Sequence, residues 1–437
     1  IAKELGNDGA QMRAYNGSGT LQAALQNITL ASDYFQKALG VARRMGDSRG
    51  IADTLNQLGS FYYTLGELDI ATKCFEEASE HSAESDIDLA RIMSEDGLVK
   101  IMLERGQTQS SLTQSQQAII PACRRLGYRS GLMSALYSML VGQIYTADYN
   151  YAHETAEELL ELHNKFGDFY RVPLIKYYQA VGQLYQGQLA QAQQALKEGL
   201  ELAKEQAQKS SLALGHAWLG YSYLTMGATD RGLSEAEQSV KVAQELGSPL
   251  YVMKAQSVLG TAYRHLNRLN EAVTELENVQ INAHNMDFVA DEVMILYQLT
   301  RAYIDTAAWD KAEAGLQNLL RLAQTSRMGE FEARGLWLQA VLDSHYQRHD
   351  VALTTLAQAA DMAQRSSSRL TLFSIYIQEA ETYRQIGNPT AAQEAVIEAQ
   401  SLQQKLLSTL PSDVSPETFL NHAHVQRLRQ IAAAVAG

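Results

Sequence analysis

Chemistry needs particular side chains at particular spacings, and this chain offers a few groupings to weigh. Glu76-Glu77 with Glu80, and Glu157-Glu158 with Glu161, are clustered carboxylates of the kind that can do general acid–base work. Neither run has a partner histidine or an implied cleft, so both read as solvated helix faces. His422 and His424 stand two apart in a segment expected to be helical, which points them in different directions and offers no shared metal position. His153-Glu154 reads as surface. Gly17-Ser18-Gly19 follows no predicted strand and no lysine comes after it, so it does not form a phosphate cradle. The patterns GxxxxGKS/T, HExxH, GxSxG and CxxC do not occur. No catalytic residues, metal ligands or cofactor-binding residues are assigned, and the chain is expected not to be an enzyme.

The elements that would position any site are bounded first by size and charge. At 437 residues the chain exceeds the roughly 250–300 at which a single core stops growing, so it holds several domains or a repeat array. No window approaches the ~20 apolar residues needed to span a bilayer, and no signal-peptide pattern opens the chain. The net charge of −13, from 36 basic and 49 acidic residues, disfavours non-specific binding to nucleic acid or an anionic membrane. Cys74 and Cys123 cannot build a disulfide framework and read as small buried hydrophobes in a reducing, cytoplasmic setting. Asn16-Gly17-Ser18 and Asn27-Ile28-Thr29 fit the glycosylation pattern, but nothing else suggests secretion. The start at Ile1 suggests a piece of a larger protein.

A strict register organises the chain. Ala31, Ala71, Ser111, Ala152, Ala192, Gly232, Ala272, Ala312, Ala352 and Ala392 are all small and lie 40 residues apart, with one step of 41. Such a period signals a solenoid of stacked supersecondary units. Four residues on come mostly apolar side chains, among them Phe35, Phe75, Leu196, Leu276 and Leu316. Twelve before the small position the best units carry Gly59, Gly220 and Gly260, and three after those Tyr62, Tyr223 and Tyr263, while Met102, Gln143, Gln183 and Asp343 replace the tyrosine in the weaker ones. Gly66, Gly106, Gly187, Gly227, Asn267 and Gly387 recur where a first helix should end in a left-handed residue. Pro173 and Pro249 open helices, whereas Pro121 falls inside a second helix and should kink it. Trp218 reads as core, and Trp309 as a staple between units.

The stretch from Ile51 to Glu80 is the best specimen. Its Leu55, Leu58, Gly59, Tyr62, Ala71, Phe75 and Ala78 resemble the tetratricopeptide repeat, with leucine in place of the first tryptophan. The resemblance implies an all-α, right-handed α-α superhelix of about ten helical hairpins plus a C-terminal capping helix. The 40-residue unit is similar to the long repeats of large bacterial multidomain signalling proteins, namely STAND-type ATPases, cyclases and helical-repeat transcription activators. LLSTLPSDVSPETFL resembles the closing segment of such repeat regions. The expected division is a solenoid over 1–407, with a degenerate first unit at 1–46 and full units over 47–407, then a loop and capping helix over 408–437. In the first unit, Tyr15-Asn16-Gly17-Ser18-Gly19-Thr20 is expected to be a lengthened turn. Pro416 should open a final helix running to about Ala434.

In tetratricopeptide-like superhelices the first helix of each unit lines the concave surface. The resemblance therefore implies a groove carrying Tyr137, Tyr177, Tyr221, Tyr297 and Trp337, with Lys254, Arg264, Arg301 and Arg334 as local positive charge. Amphipathic aromatics beside arginine are the material of recognition hot spots. The implied function is a non-catalytic interaction and regulatory module that binds a protein or peptide ligand in the concave groove, or other domains of its own full-length chain. The alternative is a superhelix that senses a small-molecule effector and controls an upstream ATPase, cyclase or transcription-regulator domain. The lysine and asparagine clamp that grips a terminal carboxylate in chaperone-binding relatives is missing.

Overall fold

The computed structural model describes residues 7–25, 27–84 and 88–436. Every regular element among these is helical, and successive helices pair into ten hairpins, numbered here one to ten. The first helices of the hairpins are Asp8–Ala24, Ser48–Leu65, Asp88–Glu104, Arg129–Tyr145, Val172–Tyr185, Lys209–Thr225, Pro249–His265, Val289–Asp305, Gly329–His345 and Arg369–Gln385. The second helix of hairpin three comes in three parts; the others are Ile28–Met45, Leu68–Glu84, Tyr149–Phe166, Leu189–Glu205, Thr229–Leu246, Leu269–Asn285, Trp309–Thr325, His349–Arg365 and Pro389–Ser408. Pro416–Leu420 and Ala423–Ala436 close the chain. None of the described helices is long and apolar enough to cross a membrane. The hairpins gather into two compact units: residues up to 139 with 246–250, and residues 140–245 with those from 251 onward.

The 40-residue register has a simple physical source. The small residues of the second helices are buried to the backbone: Ala31, Ala71, Ala192, Ala272, Ala312, Ala352 and Ala392 expose nothing. There the two helices of a hairpin approach closely, and a large neighbour fills the space beside the contact. Phe75 shows the arrangement in the first unit. Its ring lies between Gly59 of its own hairpin and Gly97 of the next, where an added Cβ would come within 2.9 and 2.5 Å of it. One side chain thus fills the seam within a hairpin and the seam between hairpins.

Polar side chains set the register between first helices of the first unit. Asn16 Nδ2 donates to Thr54 Oγ1 (2.9 Å), Ser94 Oγ to Asn56 Oδ1 (3.0 Å) and Ser134 Oγ to Asp96 (2.6 Å), each pair 38 residues apart and buried. Sliding one helix past the next would strand all of these groups without partners, at about 1–3 kcal/mol each.

Helix ends keep time. A left-handed residue stands at every twentieth position from Gly127 to Gly387, including the expected Gly187, Gly227 and Asn267. At Asn267 its N–H reaches Arg264 O (3.0 Å) while Arg268 N–H reaches Tyr263 O (2.9 Å), the paired bonds of a Schellman ending. Ala147, Ala207, Asp287, Ala307, Arg327, Gln347 and Ser367 take the same conformation without being glycine. The same paired bonds close these helices: Ala307 N–H reaches Ile304 O (3.0 Å) and Ala308 N–H reaches Tyr303 O (2.8 Å).

Two local expectations change. Tyr15 to Thr20 is not a lengthened turn but the middle of the helix Asp8–Ala24. Gly19 serves close packing there, because a Cβ on it would come 2.8 Å from the Phe35 ring, and Asn16 is buried against Thr54. Pro121 is accommodated by a π turn: the helix runs Thr108–Gln114, winds wider over Ser115–Ile119 and resumes at Ile120–Leu126. Ile120 N–H bonds to Ser115 O, five residues back, which spaces the carbonyls around the proline. Trp309 does act as a staple, stacking on His345 of the next hairpin at 3.7 Å between centroids.

Ala307, exposed and at φ 55°, tests the cost of the non-glycine endings. Ala307→Gly is expected to stabilise the chain by up to about 1 kcal/mol, since it removes left-handed strain and loses no packing. A lower denaturant midpoint for the variant would contradict this.

Candidate functional site

The second unit closes on itself. Tyr149 OH of hairpin four donates to Glu330 of hairpin nine (3.1 Å), and Arg334 donates to Tyr221 OH of hairpin six (3.0 Å). The segment after hairpin ten completes the closure. Ala190 N–H donates to Thr409 O (2.7 Å), and Asp413 receives Lys197 (2.8 Å), Tyr223 OH (2.9 Å) and, at its backbone oxygen, Arg231 (2.7 Å). The final helix packs on both helices of hairpin ten, so this segment is a cap and a strap together.

Closure leaves a chamber, lined chiefly by first helices, in two adjoining parts. The apolar part has a volume of about 90 Å³ and is walled by Tyr145, Tyr178, Tyr185, Trp218, Tyr221 and Phe331. That is room for several waters or one large side chain. Lys254 and Asp291 stand on its wall as an ion pair at 2.7 Å. The second part, about 70 Å³, shares Tyr221 and Gln298 with the first and is lined by Tyr297, Arg301, Arg334, Trp337, His265, His422 and His424. It is cationic. Glu330 matches Arg334 at 2.7 Å and Asp305 matches Arg264 at 3.0 Å, while Arg301 donates to Tyr297 OH (3.1 Å) and contacts His424 Nε2 (3.0 Å).

These arginines shape the titration of their neighbours. Burial, then Arg301 and Arg264, lowers His422 to about 4. Burial and Arg264 hold His265 well below its ordinary value, and burial and Arg301 do the same to His424. All three rings are therefore neutral at pH 7. Burial would raise the Tyr297 phenol, but Arg301, Arg334 and Arg264 outweigh it and lower it instead.

Of the nine residues expected in a groove, Tyr221, Lys254, Tyr297, Arg301, Arg334 and Trp337 line this chamber. Arg264 touches its cationic end through His265 (2.9 Å). Tyr137 lies half-buried in the first unit. Tyr177 is a correction: its ring is fully buried between Gly199 and Gly215, where an added Cβ would come within 2.5 and 2.4 Å of it. It is a packing residue, and Tyr178 beside it faces the chamber. The final helix is also corrected. Pro416–Leu420 breaks before Ala423–Ala436, which leaves His422 outside the helix and stacks its ring on His424 at 5.4 Å. Two-residue spacing separates side chains only where the backbone is continuously helical. Trp218, Phe331 and the two histidines were not singled out as chamber residues from the sequence; only Trp218 and Phe331, on first helices, carried the signal.

Fold and chamber together define an all-α helical-repeat solenoid of the tetratricopeptide type. The tetratricopeptide repeat family model matches residues 10–84, and the model described as anaphase-promoting complex subunit 5 matches 137–224 and 335–408. Among solved structures, a Rap protein complexed with Competence and Sporulation Factor superposes with a TM-score of 0.60 at 11% identity, covering 82% of this chain and 99% of that one. The Rap conjugation gene regulator of the plasmid pLS20, in complex with the Phr* peptide, gives 0.53 at 13% identity, covering 82% and 96%. A search of curated protein sequences finds no match.

Two outcomes check this geometry. Tyr177→Ala should cost about 3–5 kcal/mol by leaving a cavity, whereas Tyr177→Phe, which removes a buried hydroxyl without a hydrogen-bond partner, should be neutral or stabilising by up to about 1 kcal/mol. Equal losses from both would contradict the packing role. The histidines give a pH test with a definite sign. Their folded values lie below the ordinary 6.5, so below pH 6.5 the unfolded chain takes up protons that the folded chain refuses. Stability falls as pH drops from about 6.5 towards 4, and His422 alone contributes on the order of 2 kcal/mol of that loss by pH 5. Denaturant titrations across this window should show a shallower slope for His422→Gln; parallel curves would sink the assignment.

Proposed function

We propose that the chain is a non-catalytic recognition module whose chamber, in the unit formed by residues 140–245 and 251 onward, seats part of a peptide or protein ligand. The observation that carries this reading is the pairing of an aromatic cavity lined by first helices with an adjoining cationic one lined by first helices and the closing segment. Such a site grips one apolar side chain and one polar or charged group, the anchoring pattern of peptide recognition. The Rap conjugation gene regulator in complex with the Phr* peptide shares the fold. A regulatory role within a larger bacterial signalling chain belongs to the same reading and rests on the long repeat. Within it the second unit is the responsive part, since its lining comes from seven hairpins and its own tail.

One observation favours the alternative, a small-molecule effector. Parts of about 90 and 70 Å³ fit a metabolite as well as a side chain. A thermal-shift panel of metabolites and a peptide-display selection on the whole chain separate the two. Selected peptides should lose at least about tenfold in affinity on Trp218→Ala or Tyr221→Ala, a loss of roughly 1.4 kcal/mol or more. Selected peptides that bind both variants unchanged would remove the chamber from the interaction. Stabilisation by a metabolite with no selected peptide would favour the effector.

A further inference from the structure

Charge does not balance at the cationic end of the chamber. Arg334 and Arg264 each have a carboxylate, but Arg301 meets none at ion-pair distance among the described residues. It donates to the Tyr297 hydroxyl, contacts His424 Nε2 and lies over the Tyr297 and Trp337 rings (5.6 and 5.5 Å). Donors around it are also unmatched. Trp337 Nε1, on a side chain more than nine-tenths buried in the same wall, has no hydrogen-bond partner, and neither has Arg264 Nε.

The histidines add to this surplus. His424 Nε2 accepts from Arg301 and His265 Nε2 accepts from Arg264, so each ring carries its proton on Nδ1. His422 Nδ1 faces the His424 N–H at 3.4 Å, which places its proton on Nε2. Gln298 Oε1 is the unmatched acceptor in the lining, and the amide can turn to present its N–H₂ instead. A half-buried guanidinium with no carboxylate beside it, next to the unpaired, buried Trp337 N–H, is a favourable place for an anion.

We propose that this end of the chamber is an oxyanion site: a carboxylate or phosphate group of the ligand sits against Arg301 and accepts from Trp337 Nε1 and the histidine N–H groups. The inference rests on reading the chamber as a ligand seat and adds the charge that the ligand carries; it does not require that ligand to be a peptide. His422 and His424 come from the segment after hairpin ten, so the site is complete only with that segment docked.

The test is thermal unfolding of the whole chain at pH 7 and constant ionic strength in sodium chloride, sodium phosphate or sodium acetate. An anion that binds only the folded state raises Tm in proportion to its occupancy. Phosphate or acetate should raise Tm by several degrees over chloride, and which of them does so identifies the group. Arg301→Gln should abolish the shift, while Arg365→Gln, at an exposed position on the second helix of hairpin nine, should retain it. Trp337→Phe, which removes one N–H donor and little volume, should reduce the shift and decides the matter if Arg301→Gln does not fold. The same Tm in all three salts, or an undiminished shift in both chamber variants, would overturn the proposal. Selected peptides that still bind in that event would leave the recognition reading standing, whereas an oxyanion shift with no peptide selected would do the reverse.

Discussion

The closure of the second unit depends on one buried ion pair. Glu330 and Arg334 lie a helical turn apart in hairpin nine, each more than nine-tenths buried. Glu330 accepts from Arg334 Nε (2.7 Å), Thr371 (2.5 Å), Ser368 (3.1 Å) and Tyr149 (3.1 Å). Arg334 donates to Tyr221 and lies over the rings of Tyr185 (4.6 Å) and Tyr297 (5.2 Å). Hairpins four, five, six, eight, nine and ten therefore meet at two side chains. Burying such a pair contributes little net stability, because desolvation cancels most of the attraction, but removing one partner costs about 3–5 kcal/mol. What the pair supplies is selectivity among arrangements. Only one closure satisfies every oxygen of Glu330, and any other leaves a charge stranded.

The architecture was legible in the sequence because one physical requirement repeats. A small residue must stand wherever paired helices touch, and a helix of fixed length returns that contact every 40 residues. Ala71 and its counterparts could be read without any structure for that reason. Helix endings were only partly legible, since Gly187 and Asn267 announce a left-handed turn while Ala307 and Arg327 adopt one without a side chain that favours it. The site was readable as a column but not as a place. The first-helix positions did line an interior at Tyr221, Tyr297, Arg301 and Trp337. Tyr177 left that interior because Gly199 and Gly215, distant in the repeat pattern, happen to open a slot for its ring. Asn56 and Asp96, in the same column, were taken up by hydrogen bonds between hairpins. A column position says which way a residue starts, and its neighbours decide where the side chain ends. Closure was not readable at all, because Tyr149 and Glu330 pair across 181 residues and neither departs from the repeat in a way that announces a partner.

Closure also ties the chamber to the end of the chain. Asp413 anchors the last segment to hairpins five and six through Lys197, Tyr223 and Arg231, and these contacts, with Tyr223 and Lys197 outweighing its burial, lower its carboxyl. Beyond that anchor the chain turns at His422 and delivers two imidazoles to the wall beside Arg301. A ligand group against Arg301 therefore touches residues that are in place only when the segment is docked. Binding and docking are then linked by one free energy: whatever favours the docked segment tightens the site, and whatever fills the site holds the segment down by the same amount. The segment reaches hairpins five, six and ten at once. The cap that ends the repeat and the filling of the chamber therefore favour each other.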